Sequence, residues 1–158
     1  MDFYTAKICD MCDDGIQILA PNFKNFGKKQ KMHGKIVTVK INQSSKELSE
    51  LLQEEGKGQV VVVDAQAEHV AIIDEGLAKL ALKNGWAGFI VNGHIRDAQK
   101  IADIDVGVWA LGTSPKKIHD PLPGFLNHSL EFGGVKFEPG MYLYADHDGV
   151  VINKEALA

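Results

Sequence analysis

The spacing of apolar positions changes period within residues 74–97, DEGLAKLALKNGWAGFIVNGHIRD. Leu77, Leu80 and Ala81 fall at helical spacing, with Lys79 and Lys83 on the opposite side, and Asn84-Gly85 is a helix stop signal. Phe89, Ile90 and Val91 then form a short apolar run that ends at Asn92-Gly93. Upstream, Gln59 to Asp64 (QVVVVD) is more apolar still. Strand, helix and strand in that order predict a parallel crossover unit, and the rest of the chain is arranged around it.

On the N-terminal side, residues 5–20 read as helical, with Thr5 as a cap and a break near Asp13-Asp14-Gly15. Pro21 to Gly27 reads as a connecting loop, Gly34 to Ile41 alternates as a strand, and Ser45 is placed to cap a helix through Leu48, Leu51 and Leu52. Ala65 to Ile73 is expected to be a loop that enters the central helix and can cover a site beside it. Beyond Asp97, a short helix turns Ile101 and Ile104 inward, and Val106 to Leu111 reads as another strand. Thr113 to Asn127 carries Pro115, Pro121, Pro123 and Gly124 and reads as an extended loop or edge segment. Strands at 135–137, 141–145 and 150–152 follow, with Asp146 and Asp148 assigned to a turn rather than to a metal. No repeat, low-complexity run or interdomain linker interrupts this order. The expected architecture is α/β, a single domain over residues 1–158 with mixed sheets and packed helices.

Composition narrows the function classes. The chain has 158 residues, 45% of them hydrophobic and 24% charged, enough to bury a core in one globular domain. A formal charge of −4 argues against direct nucleic-acid binding, which needs a basic face. It suits a small-molecule enzyme or a basic protein partner equally. No apolar run approaches the roughly 18 residues of a membrane span, and Met1-Asp2-Phe3-Tyr4 begins no secretory signal, so a cytoplasmic protein without membrane contact is expected. Cys9 and Cys12 make a CxxC that lacks both the strand-to-helix context of a redox dithiol and further zinc ligands; they read as two small buried thiols on one helix face. Lys28, Lys29 and Lys31 read as a solvated rim, and His69 as an ordinary loop histidine. His119 and His128 lack partners at ligand spacing.

The chemistry concentrates at the ends of the crossover helix. A helix of about ten residues carries the chain roughly 15 Å, and a strand of about six brings it back roughly as far. Glu75 and the Arg96-Asp97 pair should therefore meet beside the carboxyl end of the Gln59 to Asp64 strand, the end at which open α/β sheets bind ligands. Unpaired N–H groups at 75 to 78 and the Arg96 guanidinium suit a carboxylate or phosphate, while Asp97 and Glu75 offer oxygen to a hard cation such as magnesium. The same residues also suit a plain helix start, in which Asp74 and Glu75 answer the helix dipole and Arg96 pairs with Asp97 on the surface.

Glu75, then twenty residues, then Arg96-Asp97 resembles the Asp-x20-Arg-Asp motif of the metal-dependent 4-hydroxy-4-methyl-2-oxoglutarate aldolases, members of the RraA-like family that also contains a regulator of ribonuclease E activity. The likeness extends through TAKICD, NFG at 25–27, GKIVTVK at 34–40, VVVDA at 61–65, FGGVKFEPG and LYADHDG. It implies the swivelling β/β/α fold, a homotrimer, and a divalent cation, Mg2+ or Mn2+, held by Asp97. It further implies a small 2-oxo acid substrate whose pyruvyl carboxylate is held by the amides at 74–77, through Asp74, Glu75, Gly76 and Leu77. Arg96 would bind that substrate and neutralise the charge developing on it, and Glu75 would orient or deprotonate a water of the metal shell. The implied reactions are aldol cleavage to pyruvate and decarboxylation of oxaloacetate; the alternative is a non-catalytic regulator that binds ribonuclease E. Three positions depart from the aldolase pattern: Asp74 stands where glycine is usual, Glu75 replaces aspartate, and Lys100 replaces a frequent acidic residue. An ionised Asp74 is expected to point away from amides that hold a carboxylate, because two like charges in a partly dry site repel.

Overall fold

The computed structural model of the chain describes residues 2–12, 14–41, 46–117 and 124–157. In chain order the elements are α1 (Thr5–Met11), β1 (Gln17–Ile18), β2 (Lys24–Asn25), β3 (Met32–Lys40), α2 (Lys46–Leu52), β4 (Val60–Asp64), β5 (Ala71–Ile73), α3 (Glu75–Lys83), β6 (Gly88–Ile95), α4 (Ala98–Ile101), β7 (Gly107–Thr113), β8 (Phe125–Leu126), β9 (Leu130–Phe132), β10 (Val135–Phe137), β11 (Tyr142–Asp146) and β12 (Gly149–Asn153). One large mixed sheet runs β1-β12-β11-β3-β4-β6-β7-β2, with β5 added to β6 and β8 to β3, and β9 and β10 form a separate hairpin.

Strand β3 joins two halves of different character. Its residues Met32 to Lys35 pair antiparallel with β11, whereas Ile36 to Lys40 pair parallel with β4. Gly34 lies at this changeover, where an added Cβ would come within 2.2 Å of the Gly58 carbonyl, so only glycine lets the two segments approach.

The parallel strands β4, β6 and β7 are covered on both faces, which is why their sequences read as continuous apolar runs. In β4, Val61 and Val63 face a core shared with Leu48, Leu52, Ala78, Ala81 and Ile101 of the three later helices. Val60 and Val62 face a second core with Met32, Ile90, Trp109, Leu143 and Ile152. The helical face of α3 meets the first of these through Ala81 of the expected stripe and through Ala78, both buried, while Leu77 and Leu80 are half-buried against it.

Several expectations are corrected. Strand β6 does not end at Asn92-Gly93 but continues to Ile95, with a register shift between Val91 and His94. Asn92 is held in the strand because its side chain donates to Asp64 and its carbonyl accepts the N–H groups of Ala65 and Ala67. The segment read as a loop before α3 contains β5, which pairs parallel with β6. Thr5 is not a cap; Tyr4 holds that position without a side-chain bond, and Thr5 instead bonds Asp146. Helix α1 stops at Met11, leaving Cys12 just past its end, and both thiols are free and half-buried rather than buried on one face. Lys31 of the expected solvated rim pairs with the exposed Asp2 at 3.0 Å and lies 3.6 Å from the Tyr4 ring centre. Ser45, His119, Pro121 and Pro123 lie outside the described residues.

Candidate active site at the start of helix α3

Three chain segments meet at the N-terminus of α3: residue 74 at the end of β5, the turn after β6, and Lys117, whose backbone bridges Ala71. The turn is fixed by main-chain bonds, since Arg96 N–H donates to the Ile73 carbonyl at 3.0 Å and Ser114 N–H to the Ile95 carbonyl at 2.9 Å. Immediately afterwards Asp97 adopts a left-handed conformation, φ 60° and ψ 35°. Such a conformation costs free energy for most residues and is tolerated by Asp and Asn. A residue preceding a helix usually stands extended and caps its own helix. Asp97 caps nothing in α4; its Oδ2 accepts the Glu75 N–H at 3.0 Å, across to α3. The meeting of Glu75 with Asp97 is thus a backbone-to-carboxylate bond.

Asp74 is the N-cap of α3. Its backbone is extended and its Oδ1 accepts the Leu77 N–H at 2.9 Å. This corrects the expectation that its carboxylate points away from the helix amides: an aspartate at the N-cap reaches the third N–H of its own helix, and the free donor attracts it. The other oxygen, Oδ2, lies 3.6 Å from Lys117 Nζ. Lys117 belongs to this site and was not foreseen, because its position depends on the β5 bridge, which leaves no periodic signal. Of the amides assigned to a substrate carboxylate, those of Glu75 and Leu77 are therefore already engaged by carboxylates of the chain, and the Gly76 N–H stands between them with no carboxylate partner among the described residues. The Glu75 side chain pairs with Lys79 one turn along the helix, at 3.3 Å. Lys100 is exposed in α4.

Arg96 is half-buried next to Asp97, yet it pairs with neither Asp97 nor any other carboxylate among the described residues. The plain alternative of a surface Arg96–Asp97 pair is not what the structure shows. A planar fork of donors is left available beside a carboxylate with one oxygen committed.

The donor set also bears on a cation. Among the described residues no three His, Cys, Asp or Glu side chains converge as a metal site. That does not fit zinc, which takes three or four protein ligands. It does fit a hard cation such as Mg2+, which keeps several waters and needs one or two carboxylates; Asp97 Oδ1 is a carboxylate oxygen that no donor among the described residues engages.

The RraA-like family model, described as Aldolase/RraA, matches residues 5–152. The chain belongs to this family. A Bacillus cereus protein named "Putative 4-hydroxy-4-methyl-2-oxoglutarate aldolase" is 40% identical over 154 residues, covering 97% of each chain. The structure of the RNA-processing inhibitor RraA from Thermus thermophilis superposes with a TM-score of 0.94 at 31% identity, covering 100% of this chain and 96% of that one. A Geobacillus kaustophilus structure described as S-adenosylmethionine:2-dimethylmenaquinone methyltransferase gives the same TM-score, 0.94, at 38% identity, covering 98% and 97%. The mixed α/β architecture is thus the RraA-like one. No helix among the described residues is long and apolar enough to cross a membrane.

Proposed function

We propose that this RraA-like protein is a divalent-cation-dependent lyase that releases pyruvate from a 2-oxo acid, by cleaving 4-hydroxy-4-methyl-2-oxoglutarate, by decarboxylating oxaloacetate, or by both. The observation that carries the reading is Arg96, held next to Asp97 with no carboxylate paired to it among the described residues. The names of the aldolase relatives support it.

Both reactions break a carbon–carbon bond next to a pyruvyl group and leave its electron pair on the pyruvyl fragment as an enolate, which is then protonated. Mg2+ or Mn2+ held by Asp97 would supply Lewis-acid polarisation of the 2-oxo oxygen. Arg96 would bind the same fragment and offset the charge developing there, a contribution that grows toward the transition state. The Gly76 N–H, joined by the Leu77 N–H when Asp74 yields it, would hold the pyruvyl carboxylate at the positive end of α3. Glu75 positions Asp97 through its backbone. Its carboxylate, released from Lys79, would take the proton of the 4-hydroxyl through a water. We further propose that the active form is a homotrimer.

A second reading, a regulator that binds ribonuclease E, rests on the TM-score of 0.94 to the RNA-processing inhibitor. The two are separated by measuring pyruvate release from oxaloacetate and from the methylated aldol, with Mg2+ or Mn2+ and again after chelation. Turnover that disappears with chelation and returns with metal is expected. No turnover of either substrate, with tight ribonuclease E binding that survives Asp97→Ala, would establish the regulator instead.

A further inference from the structure

Away from the start of α3, a cavity of about 510 Å3 opens between β2, β7 and the β11–β12 turn; its lining includes Leu19, Pro21, Phe23, Lys24, Trp109 and His147. Trp109 is 4% exposed. The benzo edge of its indole is buried, since a Cβ added to Gly107 would stand 2.7 Å from Trp109 Cζ3 and 2.8 Å from the Met32 sulfur. The pyrrole edge, on the other side of the ring, carries Nε1–H. That donor has no hydrogen-bond partner among the described residues, yet it is not among the sealed, unsatisfied buried atoms, of which Glu47 Oε2 is the only one among those residues. It therefore reaches accessible space, and the space that Trp109 lines is this cavity.

The contrast with the chain's other tryptophan is informative. Trp86 is equally buried, at 4%, and its Nε1–H is spent on the Glu54 carbonyl at 3.1 Å. Buried indole N–H groups ordinarily find such a partner. The remaining polar lining is largely committed: Asn25 donates to the Lys29 carbonyl and accepts from Gly27 and Val108, and Asp146 accepts from Thr5 and Asp148. Lys24 has no carboxylate paired to it among the described residues. The cavity thus presents an apolar wall, the Trp109 N–H donor and the Lys24 ammonium, with the exposed side chains of Gln30, His147 and Asp148 also in its lining.

We propose that this cavity is a second small-molecule site, separate from the Arg96–Asp97 corner, and that it takes a planar carboxylate. The acid's oxygen accepts from Trp109 Nε1–H, its charge is answered by Lys24, and its flat apolar body lies against Leu19, Pro21 and Phe23. A concave, mostly apolar site with a few convergent polar groups is the usual form of a small-ligand pocket.

The two indoles give the test an internal control. In full-length protein carrying 15N-labelled tryptophan, benzoate should shift the Trp109 indole N–H resonance saturably, with a dissociation constant of about 1 mM or tighter, and leave that of Trp86 in place. Benzyl alcohol, which keeps the ring and loses the charge, should bind at least about fivefold more weakly. By calorimetry, Trp109→Phe, which keeps most of the apolar body and removes the donor, should weaken benzoate about five- to tenfold, and Lys24→Ala should narrow the preference for benzoate over benzyl alcohol. The proposal is overturned if benzoate leaves both resonances unmoved, shifts both without saturation, or binds no better than the alcohol. None of these readouts depends on turnover at the first site.

Discussion

Two aspartates in this protein accept the first backbone N–H of a helix, and the difference between them separates structure from chemistry. Asp146 accepts the Thr5 N–H at 2.7 Å and the Thr5 hydroxyl at 2.6 Å, and also the Asp148 N–H at 3.0 Å. It is 6% exposed and stands at the end of β11, tying α1 to the C-terminal hairpin. Asp97 accepts a single N–H, that of Glu75, is half-buried, and sits in a left-handed turn beside an Arg96 that pairs with no carboxylate among the described residues. A carboxylate whose two oxygens are both engaged, by three donors, has no oxygen left for a ligand. One that is half-satisfied, held in a costly backbone conformation and next to an available guanidinium does.

Substituting each with alanine should therefore produce opposite losses, and these are the largest effects expected. Asp97→Ala should lower kcat/KM by about a hundredfold or more, with a stability loss of only about 1–2 kcal/mol from one charge-assisted hydrogen bond. Asp146→Ala should leave kcat per folded molecule unchanged while costing about 3 kcal/mol or more, because several donors lose their partner at once. Steady-state kinetics and urea unfolding measure the two quantities separately. A folded Asp97→Ala protein with undiminished turnover would remove Asp97 from the reaction.

Arg96 comes next. Arg96→Ala should cost about a hundredfold in kcat, the scale seen when a donor to a developing oxyanion is removed. Arg96→Lys should recover little of this, since a single ammonium cannot reproduce the planar fork. Full recovery by lysine would mean that charge alone is used.

Acid should expose the other member of the comparison. Burial alone would push the Asp146 carboxyl up, but the bonds from Thr5, Asp148 and Gly149 outweigh it and hold the group below its usual value. The folded state thus binds a proton less readily than the unfolded chain. The stabilisation is present in full above the unfolded carboxylate value, about 4, and is lost as pH falls through the lower folded value. Asp146→Asn should be less stable than the parent at neutral pH and should close most of that gap below about pH 4, as read from melting temperatures across pH. A constant gap would mean that the ionised form is not what these donors select.

The parts of this picture carried by periodicity were legible in the sequence. The apolar runs of β4 and β6, the stripe of α3 and the stop at Asn84-Gly85 depend on burial along a single element, and each lies where its pattern indicates. The approach of Arg96-Asp97 to Glu75 followed from element lengths alone. Illegible were features decided by contacts distant in sequence: β5, whose three residues are held by β6 and by the bridge to Lys117; the continuation of β6 through Asn92-Gly93, made possible by Asp64; and Lys117 at the helix start. The two-residue strands β1 and β2 are equally invisible, because two residues carry no period.

The smallest predicted effect concerns Asp74, where the two kinds of carboxylate meet in one residue. Its Oδ1 satisfies the Leu77 N–H as a structural cap, while in the proposed reaction that same amide would serve a substrate carboxylate. The chain's own side chain and the substrate then compete for one donor, and the competition raises KM more than it lowers kcat, since the contact is made in ground and transition states alike. Asp74→Gly frees the amide and removes a negative charge from the site. Glycine is itself an acceptable N-cap, so the stability cost should be only a few tenths of a kcal/mol, about 0.5 at most. KM for oxaloacetate should fall about two- to tenfold at fixed Mg2+, with kcat changed less. Asp74→Asn should fall between the two, because its carbonyl oxygen still caps Leu77 but carries no charge to hold Lys117 or repel the substrate. A KM that rises in Asp74→Gly would show instead that Asp74 and Lys117 together build the substrate seat, and that the aspartate is a partner of the ligand rather than its competitor.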